Sequence, residues 1–351
     1  MKIVSTLLCL LSLILPVSLS AQTTEKVQKE KKTLISVPVT VSDREGRYIS
    51  GLNKEDFTLY QDGVKQNISF FETEDEPVTV ALLLDTSAST RDVLDNIKEA
   101  AKDFIELLNP NDQCLIATFD TEVKILSPFT SDQKPLKKSL EKIQTAKSEG
   151  TVVFNGIRQI TQKFSANSTG RKVIVLLSDG KDYGSNISKA ELFSELEESD
   201  ILIYSVFYQT GKGFNKAVLD ANGTIKEGEK DKKPKKEKKP KKKKGYSIQL
   251  GLPPDIYSQE DIKLGDRVTT IEAVSVLEEM SDLTAGRFYL SDVPNLERIF
   301  KQIAGELRQQ YRLGYYSKDG ANEMAVRNLS VTVSRPDVVV RTRGKFRAKQ
   351  L

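Results

Sequence analysis

The 351-residue sequence contains no histidine, no tryptophan and only two cysteines, Cys9 and Cys114. The absence of histidine excludes Ser-His-Asp and Cys-His catalytic sites and every zinc site that needs an imidazole ligand. Two cysteines are too few for a zinc site made of four thiolates or for a disulfide framework. These absences exclude many hydrolases and the common structural metal sites.

The first 21 residues have the pattern of a secretory signal peptide. Lys2 supplies a positive start, residues 3–15 are mostly apolar, and Ser18 and Ser20 are the small residues typical of a cleavage site. The apolar run is shorter than the roughly 20 residues that span a bilayer, which favours cleavage near residue 21 over a retained anchor. We therefore expect export to a periplasmic or extracellular location, and a mature chain without a transmembrane segment.

Cleavage would leave Cys114 as the single thiol of the mature chain. It lies in the apolar, strand-like run 113–119. We expect a buried, inert thiol and no internal disulfide.

Charge is distributed unevenly along the chain, whose formal net charge is +4. Residues 226–245 hold 12 lysines against 4 acidic residues, a net of +8. The segment Lys232–Lys244 has two prolines and no apolar periodicity, so we expect a disordered loop. It is either a solvated loop or a contact for an anionic envelope polymer or lipid headgroups. No aromatic side chains interleave the lysines, which argues against nucleic acid as a partner.

Between residues 76 and 310, short apolar runs alternate with helical periodicity. The runs are continuous, as in parallel strands buried on both faces. They lie at 78–84, 114–119, 173–177, 201–207 and 287–290, with helical spacing at 93–108, 274–281 and 296–307. This alternation predicts an α/β domain with a doubly wound, mostly parallel, Rossmann-like sheet. A long insertion at about 209–268, which includes the lysine-rich segment, is expected to be a disordered surface loop.

The two ends of the chain have β character. Predicted strands lie at 35–41, 57–61, 64–71, 329–334 and 338–342. Asp62 and Gly63 supply the left-handed turn of a hairpin. Because isolated hairpins are marginally stable in water, we expect residues 22–75 to pair with residues 311–351 in one small all-β domain. The alternative is two independent β extensions.

Three polar loops, at 85–89, 148–151 and 178–180, are placed where ligands bind in such a sheet. The first and third follow predicted strands, and the second leads into a helix. Because the carboxyl ends of parallel strands form one edge, where ligands bind at the switch point of the strand order, we expect an oxygen-rich cluster there. Its candidate members are Asp85, Ser87, Ser89, Thr151 and Asp179.

This set offers only oxygen ligands, which suits a hard divalent cation. The two carboxylates would neutralise the ion, and the three hydroxyls add small neutral ligands. Such a set favours Mg²⁺, with Mn²⁺ and Ca²⁺ as alternatives. An ion held largely by hydroxyls would accept a carboxylate from another molecule. The same residues could instead only cap strands and helix starts, because Ser, Thr and Asp favour these places.

The pattern resembles the metal-ion-dependent adhesion site of the von Willebrand factor type A (VWA) domain family. The family motif is Asp-x-Ser-x-Ser, a threonine in a second loop and an aspartate in a third, and all five positions are matched in the same order. The resemblance covers about residues 76–310, and the flanks at 41–63 and 311–343 resemble those of secreted bacterial VWA-related proteins. Asn155 stands where relatives often carry an acidic residue, although not at a ligand position.

The resemblance implies a secreted binding or adhesion module that captures a protein partner through an acidic side chain on the bound ion. A second hypothesis is a structural or envelope-tethering protein, which would use Lys232–Lys244 and for which the metal site is secondary. A third is a metal-dependent hydrolase or phosphotransferase. Ser87 stands where a phosphotransferase would want a second aspartate after Asp85, and no phosphate loop or nucleophile elbow is present. We therefore predict no catalytic residue.

Overall fold

The computed structural model describes residues 33–73, 76–146, 150–167, 170–208, 218–219, 225–226, 259–291, 295–317 and 325–347. The predicted signal peptide, residues 1–21, and the lysine-rich segment Lys232–Lys244 lie outside these residues. Within the described part of the chain, no helix has the length and apolar composition needed to cross a membrane.

The described residues form strands in both flanks and strands mixed with helices between the flanks. The strands are β1 Thr33–Asp43, β2 Phe57–Gln61, β3 Val64–Gln66, β4 Phe70–Glu72, β5 Val78–Asp85, β6 Gln113–Phe119, β7 Val123–Thr130, β8 Arg171–Ser178, β9 Ile201–Tyr208, β10 Val218–Leu219, β11 Ile225–Lys226, β12 Phe288–Ser291, β13 Tyr311–Ser317, β14 Val326–Val333, β15 Val338–Thr342 and β16 Lys345–Arg347. The α-helices are α1 Leu94–Leu107, α2 Gln133–Glu141, α3 Val153–Asn167, α4 Lys189–Glu197, α5 Gln259–Leu283 and α6 Leu296–Arg308.

The central sheet has the strand order β12-β9-β8-β5-β6-β7. All neighbouring pairs are parallel except β6 and β7. One hydrophobic cluster packs α1, α2 and α6 on one face, and a second packs α3, α4 and α5 on the other. The predicted doubly wound, mostly parallel sheet is thereby confirmed. The order reverses between β5 and β8, so the switch point lies between these two strands.

Several features of this domain differ from the predicted pattern. Strand β7 was not predicted, because it is an antiparallel strand at the sheet edge, with mixed burial and a proline, Pro128. Helices α2 and α4 were not predicted either, because each has nine residues and few buried side chains. The insertion expected to reach residue 268 ends earlier, because α5 begins at Gln259. Buried contacts of Ala273, Leu277 and Met280 anchor this helix, and an anchored helix extends at little cost.

The flanks form two four-stranded sheets with the orders β15-β1-β13-β4 and β16-β14-β2-β3. Strand β1 pairs antiparallel with β13 and β15, and β2 pairs with β14, so both ends of the chain contribute to both sheets. A single hydrophobic cluster joins the two sheets. The small all-β domain built from the N- and C-terminal flanks is therefore confirmed, as one sandwich rather than two extensions.

The predicted hairpin of the N-terminal flank is shorter than expected. Asp62 and Gly63 adopt φ values of 49° and 79°, the left-handed turn that the Asp-Gly pair predicted. The return strand β3 ends at Gln66, however, and β4 crosses to the other sheet to pair with β13. The connection between the two strands takes only residues 67–69, and Ile68 within it is buried in the core that both sheets share, so the sequence gives little sign of the crossing.

Two ionisable groups, Cys114 in β6 and Glu306 in α6, are fully buried. Cys114 in β6 is free and fully buried, as predicted, and burial raises the pKa of its thiol to about 12. Glu306 of α6 is also fully buried, where it accepts a hydrogen bond from Tyr48 Oη at 2.5 Å. Its Oε2 lies 3.2 Å from Arg287 Nε. Since Tyr48 follows β1, this cluster ties the β sandwich to the α/β domain.

Candidate metal centre

The first loop of the candidate site follows β5, the strand beside the switch point. Every residue of β5 is buried, and Asp85 at its end is fully enclosed. The backbone N–H of Ser87 donates to Asp85 Oδ1 at 2.9 Å, and the hydroxyl oxygens of Ser87 and Ser89 lie 3.0 Å apart. Ser87 is buried and Ser89 is exposed. The loop therefore runs from a buried carboxylate to a solvent-facing hydroxyl.

The third loop follows β8, on the other side of the switch point. Ser178, the last residue of β8, donates a hydrogen bond from Oγ to Asp85 Oδ2 at 2.8 Å. The same oxygen accepts the N–H of Gly180 at 2.9 Å. Asp179, between them, is buried. Ser178 was not among the predicted site residues, although it directly precedes one of them at a strand end.

The turn after Asp179 requires glycine. Gly180 has a φ of +73°, and a Cβ on it would lie 2.9 Å from Leu277 Cδ1 and 3.1 Å from the carbonyl oxygen of Ala273. Both partners belong to α5. A side chain at position 180 would therefore strain the backbone and push the loop away from this helix.

The second loop is tied to the third by backbone hydrogen bonds. Thr151 and Tyr183 exchange N–H···O bonds of 3.2 and 2.7 Å, and Thr151 is buried. Asp182 accepts the N–H of Phe154 at 3.1 Å and the hydroxyl of Ser185 at 2.7 Å. Asp182 therefore fixes the start of α3 against the third loop. Residues 148 and 149 of the second loop lie outside the described residues.

The surroundings of Asp85 disfavour the negative charge of its carboxylate. Burial, and then the nearby charge of Asp179, raise the pKa of Asp85 to about 7, against the lowering effect of hydrogen bonds from Ser87 and Ser178. In the part of the chain that the structure describes, no lysine or arginine forms an ion pair with Asp85. Buried charges in proteins are generally paired or coordinate a metal.

The structure brings the predicted residues together to different degrees. Asp85, Ser87 and Ser89 are joined by direct contacts, and Asp179 is close enough to act on Asp85 electrostatically. Thr151 is held beside the Asp179 loop through its backbone. Across the described residues, no three His, Cys, Asp or Glu side chains cluster as a metal site, so any ion here would depend on hydroxyls as well as the two carboxylates. That donor set fits a hard divalent cation.

A comparison with protein families adds a finding independent of this geometry. Residues 80–181 match the family model of the von Willebrand factor type A domain. The protein contains a VWA domain. The match runs from β5 to the loop after β8, and therefore includes the VWA loops described above. The resemblance to the VWA domain drawn from the sequence is confirmed for these residues.

Several solved structures are similar to this VWA protein at low identity. BatB from Bacteroides thetaiotaomicron is 18% identical with a TM-score of 0.41, over 66% of this chain and 97% of that one. A von Willebrand factor type A protein from Catenulispora acidiphila is 11% identical with a TM-score of 0.45, over 84% and 73%. Proximal thread matrix protein 1 from the mussel byssus, with zinc in its metal-ion-dependent adhesion site, is 14% identical with a TM-score of 0.45, over 70% and 49%. The VWA assignment rests on the family match.

Proposed function

We propose that this VWA protein is a metal-dependent binding module. Its five site residues would hold one divalent cation, Mg²⁺ in the first place and Mn²⁺ or Ca²⁺ as alternatives. They are Asp85, Ser87, Ser89, Thr151 and Asp179. The observation that supports this most directly is the Asp85 carboxylate, which is fully buried beside a second carboxylate.

The arrangement of the side chains suits capture of an acidic partner. A divalent cation would supply the positive charge that the two buried carboxylates lack and a position for an incoming carboxylate. Ser89 lies on the exposed side of the cluster, so a partner would approach there. We therefore propose a protein partner that offers an aspartate or glutamate side chain.

A binding role accounts for the site better than catalysis does. The sequence has no histidine to act as a general base, and Ser87 stands where a phosphotransferase would need its second aspartate. Asp85 is held by Ser87 and Ser178 at both oxygens, which leaves it poorly placed as a nucleophile. We propose that the protein is not an enzyme.

We also propose that the protein is secreted. The pattern of residues 1–21 supports export, with a mature protein acting in the periplasm or outside the cell.

The partner hypothesis is tested with the mature protein immobilised and exposed to envelope extract. Binding should require Mg²⁺, disappear with EDTA, and disappear in Asp85→Ala. Amidation of the carboxyl groups of the captured protein should also abolish binding. Asp120→Asn is the matched control, because Asp120 is a buried acid after β6 at the same sheet edge whose Oδ2 lies 3.5 Å from Lys124 Nζ. Partner binding that persists in EDTA and in Asp85→Ala would refute the proposal.

A further inference from the structure

Tyr208 is a buried polar residue at the end of the strand next to the third loop of the candidate site. It is the last residue of β9 and is fully buried. Within the described residues, its hydroxyl has no hydrogen-bond partner. A buried hydroxyl without a partner is unfavourable, and in native proteins it commonly marks a missing water, ion or ligand.

The register of the sheet places Tyr208 beside the third loop. Strands β8 and β9 are parallel, with Leu177 opposite Val206 and Ser178 opposite Phe207. Continued by one position beyond the end of β8, this register would set Asp179 opposite Tyr208. Neighbouring strands lie about 4.8 Å apart, so the two residues are neighbours at the carboxyl edge.

The electrostatic environment of Tyr208 agrees with this placement. Burial, and then the charges of Asp85 and Asp179, raise the pKa of Tyr208 well above its ordinary value. A tyrosine hydroxyl is protonated at neutral pH and can donate a hydrogen bond. Both candidate carboxylates of the site are within electrostatic range of it.

We propose that Tyr208 is a positioning residue of the metal site, whose hydroxyl donates a hydrogen bond to the Asp179 carboxylate when a divalent cation is bound. This inference rests on the proposed metal-binding function. It gives Asp179 the kind of buried hydroxyl donor that Ser178 already provides to Asp85. Groups that donate to a ligating carboxylate hold its orientation, and their loss typically weakens metal binding.

The test is Tyr208→Phe, which removes one oxygen and keeps the ring. Calorimetric titration with Mn²⁺ should show a dissociation constant raised about 10-fold, at the lower end of such effects. Tyr204→Phe is the matched control. Tyr204 lies on the same strand, is fully buried and also has a hydroxyl without a partner among the described residues, but its electrostatic neighbours are Glu306, Tyr289, Tyr48 and Arg287. Its substitution should leave the Mn²⁺ affinity unchanged.

A second measurement follows the tyrosine itself. Because the sequence has no tryptophan, tyrosines dominate its near-ultraviolet absorption. Addition of Mn²⁺ to the wild-type protein should produce a tyrosine difference spectrum, which should persist in Tyr204→Phe and be lost in Tyr208→Phe. This signal from the wild-type protein tests the inference even if a variant folds poorly.

The possible outcomes separate this inference from the function on which it rests. Equal Mn²⁺ affinities of the wild type and Tyr208→Phe, or a wild type that binds Mn²⁺ without a tyrosine difference signal, would overturn the role of Tyr208 and leave the metal site in place. A wild-type protein that binds no Mn²⁺ would overturn both.

Discussion

The hydroxyl of Ser178 donates to Oδ2 of Asp85 at 2.8 Å, across the switch point of the sheet. The two residues are 93 positions apart in the chain and end the neighbouring strands β8 and β5. This bond fixes one oxygen of Asp85, while the N–H of Ser87 fixes the other. The carboxylate is therefore held in one orientation by groups from two loops.

Ser178→Ala should weaken divalent-metal binding without unfolding the protein. Loss of the bond frees one oxygen of Asp85 and removes the acceptor of the Gly180 N–H. We expect Mg²⁺ affinity to fall about 10-fold, measured by calorimetry, and stability to fall by about 1–2 kcal/mol in urea unfolding. Ser139→Ala, which removes a buried hydroxyl within α2, should lower only stability. Equal metal affinities of wild type and Ser178→Ala would contradict this role.

Asp85→Asn should stabilise the protein in the absence of metal. The substitution removes a buried charge that lies near Asp179 and has no basic partner in the described part of the chain. We expect the free energy of unfolding to rise by about 1–3 kcal/mol in EDTA at pH 8, as measured by thermal unfolding. Mg²⁺ at 100 times its dissociation constant should raise the free energy of unfolding of the wild type by about 2.7 kcal/mol. It should not change that of the variant. A variant that is still stabilised by Mg²⁺ would disprove the assignment of Asp85.

Gly180→Ala should damage both the fold and the site. The new Cβ would meet Leu277 and Ala273 of α5 at a positive φ. We expect the free energy of unfolding, measured in urea, to fall by about 2–4 kcal/mol. Mg²⁺ binding should weaken as well, because Asp179 would shift. Gly63→Ala is the matched control, since its φ is +79° but nothing lies within 4 Å of the added Cβ. This control should lower the free energy of unfolding by only about 1 kcal/mol and leave Mg²⁺ binding intact. Equal effects of the two substitutions would rule out the contact with α5.

Deletion of residues 229–244 separates adhesion through the metal from tethering through charge. The segment removed includes the lysine-rich run, whose role stays a prediction because it lies outside the described residues. If it binds anionic envelope polymers, the deletion variant should be released from envelopes at physiological salt, while Asp85→Ala should remain attached. Mg²⁺ affinity should not change in the deletion variant. Retention of the variant on envelopes would exclude the tethering role.

The placement of the candidate residues at one edge of the sheet could be predicted from the sequence, because the ends of strands follow local rules, while their role as metal ligands stays a prediction. Asp85 and Asp179 follow continuous apolar runs, and the ends of parallel strands meet at one edge. The contribution of Ser178 could not be derived in this way, because it depends on the register of β5 against β8. Tyr208 is a similar case, since in the sequence it is only the last apolar position of a strand.

The limits of the fold prediction have equally specific causes. The crossing between Gln66 and Phe70 takes only three residues, one of which, Ile68, is apolar and buried, so the segment resembles one continuous strand in sequence. The side chains of β7 are neither continuously buried nor alternately buried and exposed, because the strand lies at the sheet edge. By contrast, the Asp62-Gly63 turn was predictable, since few residue pairs adopt two positive φ values readily.

Calorimetric titration of the mature protein with Mg²⁺, beside Asp85→Ala and Asp120→Asn, tests the central claim most directly. We predict one binding site in the wild type, the same site in Asp120→Asn, and no binding in Asp85→Ala. A wild-type protein that shows no heat of Mg²⁺, Mn²⁺ or Ca²⁺ binding, or an Asp85→Ala variant that binds as tightly as the wild type, would contradict the account.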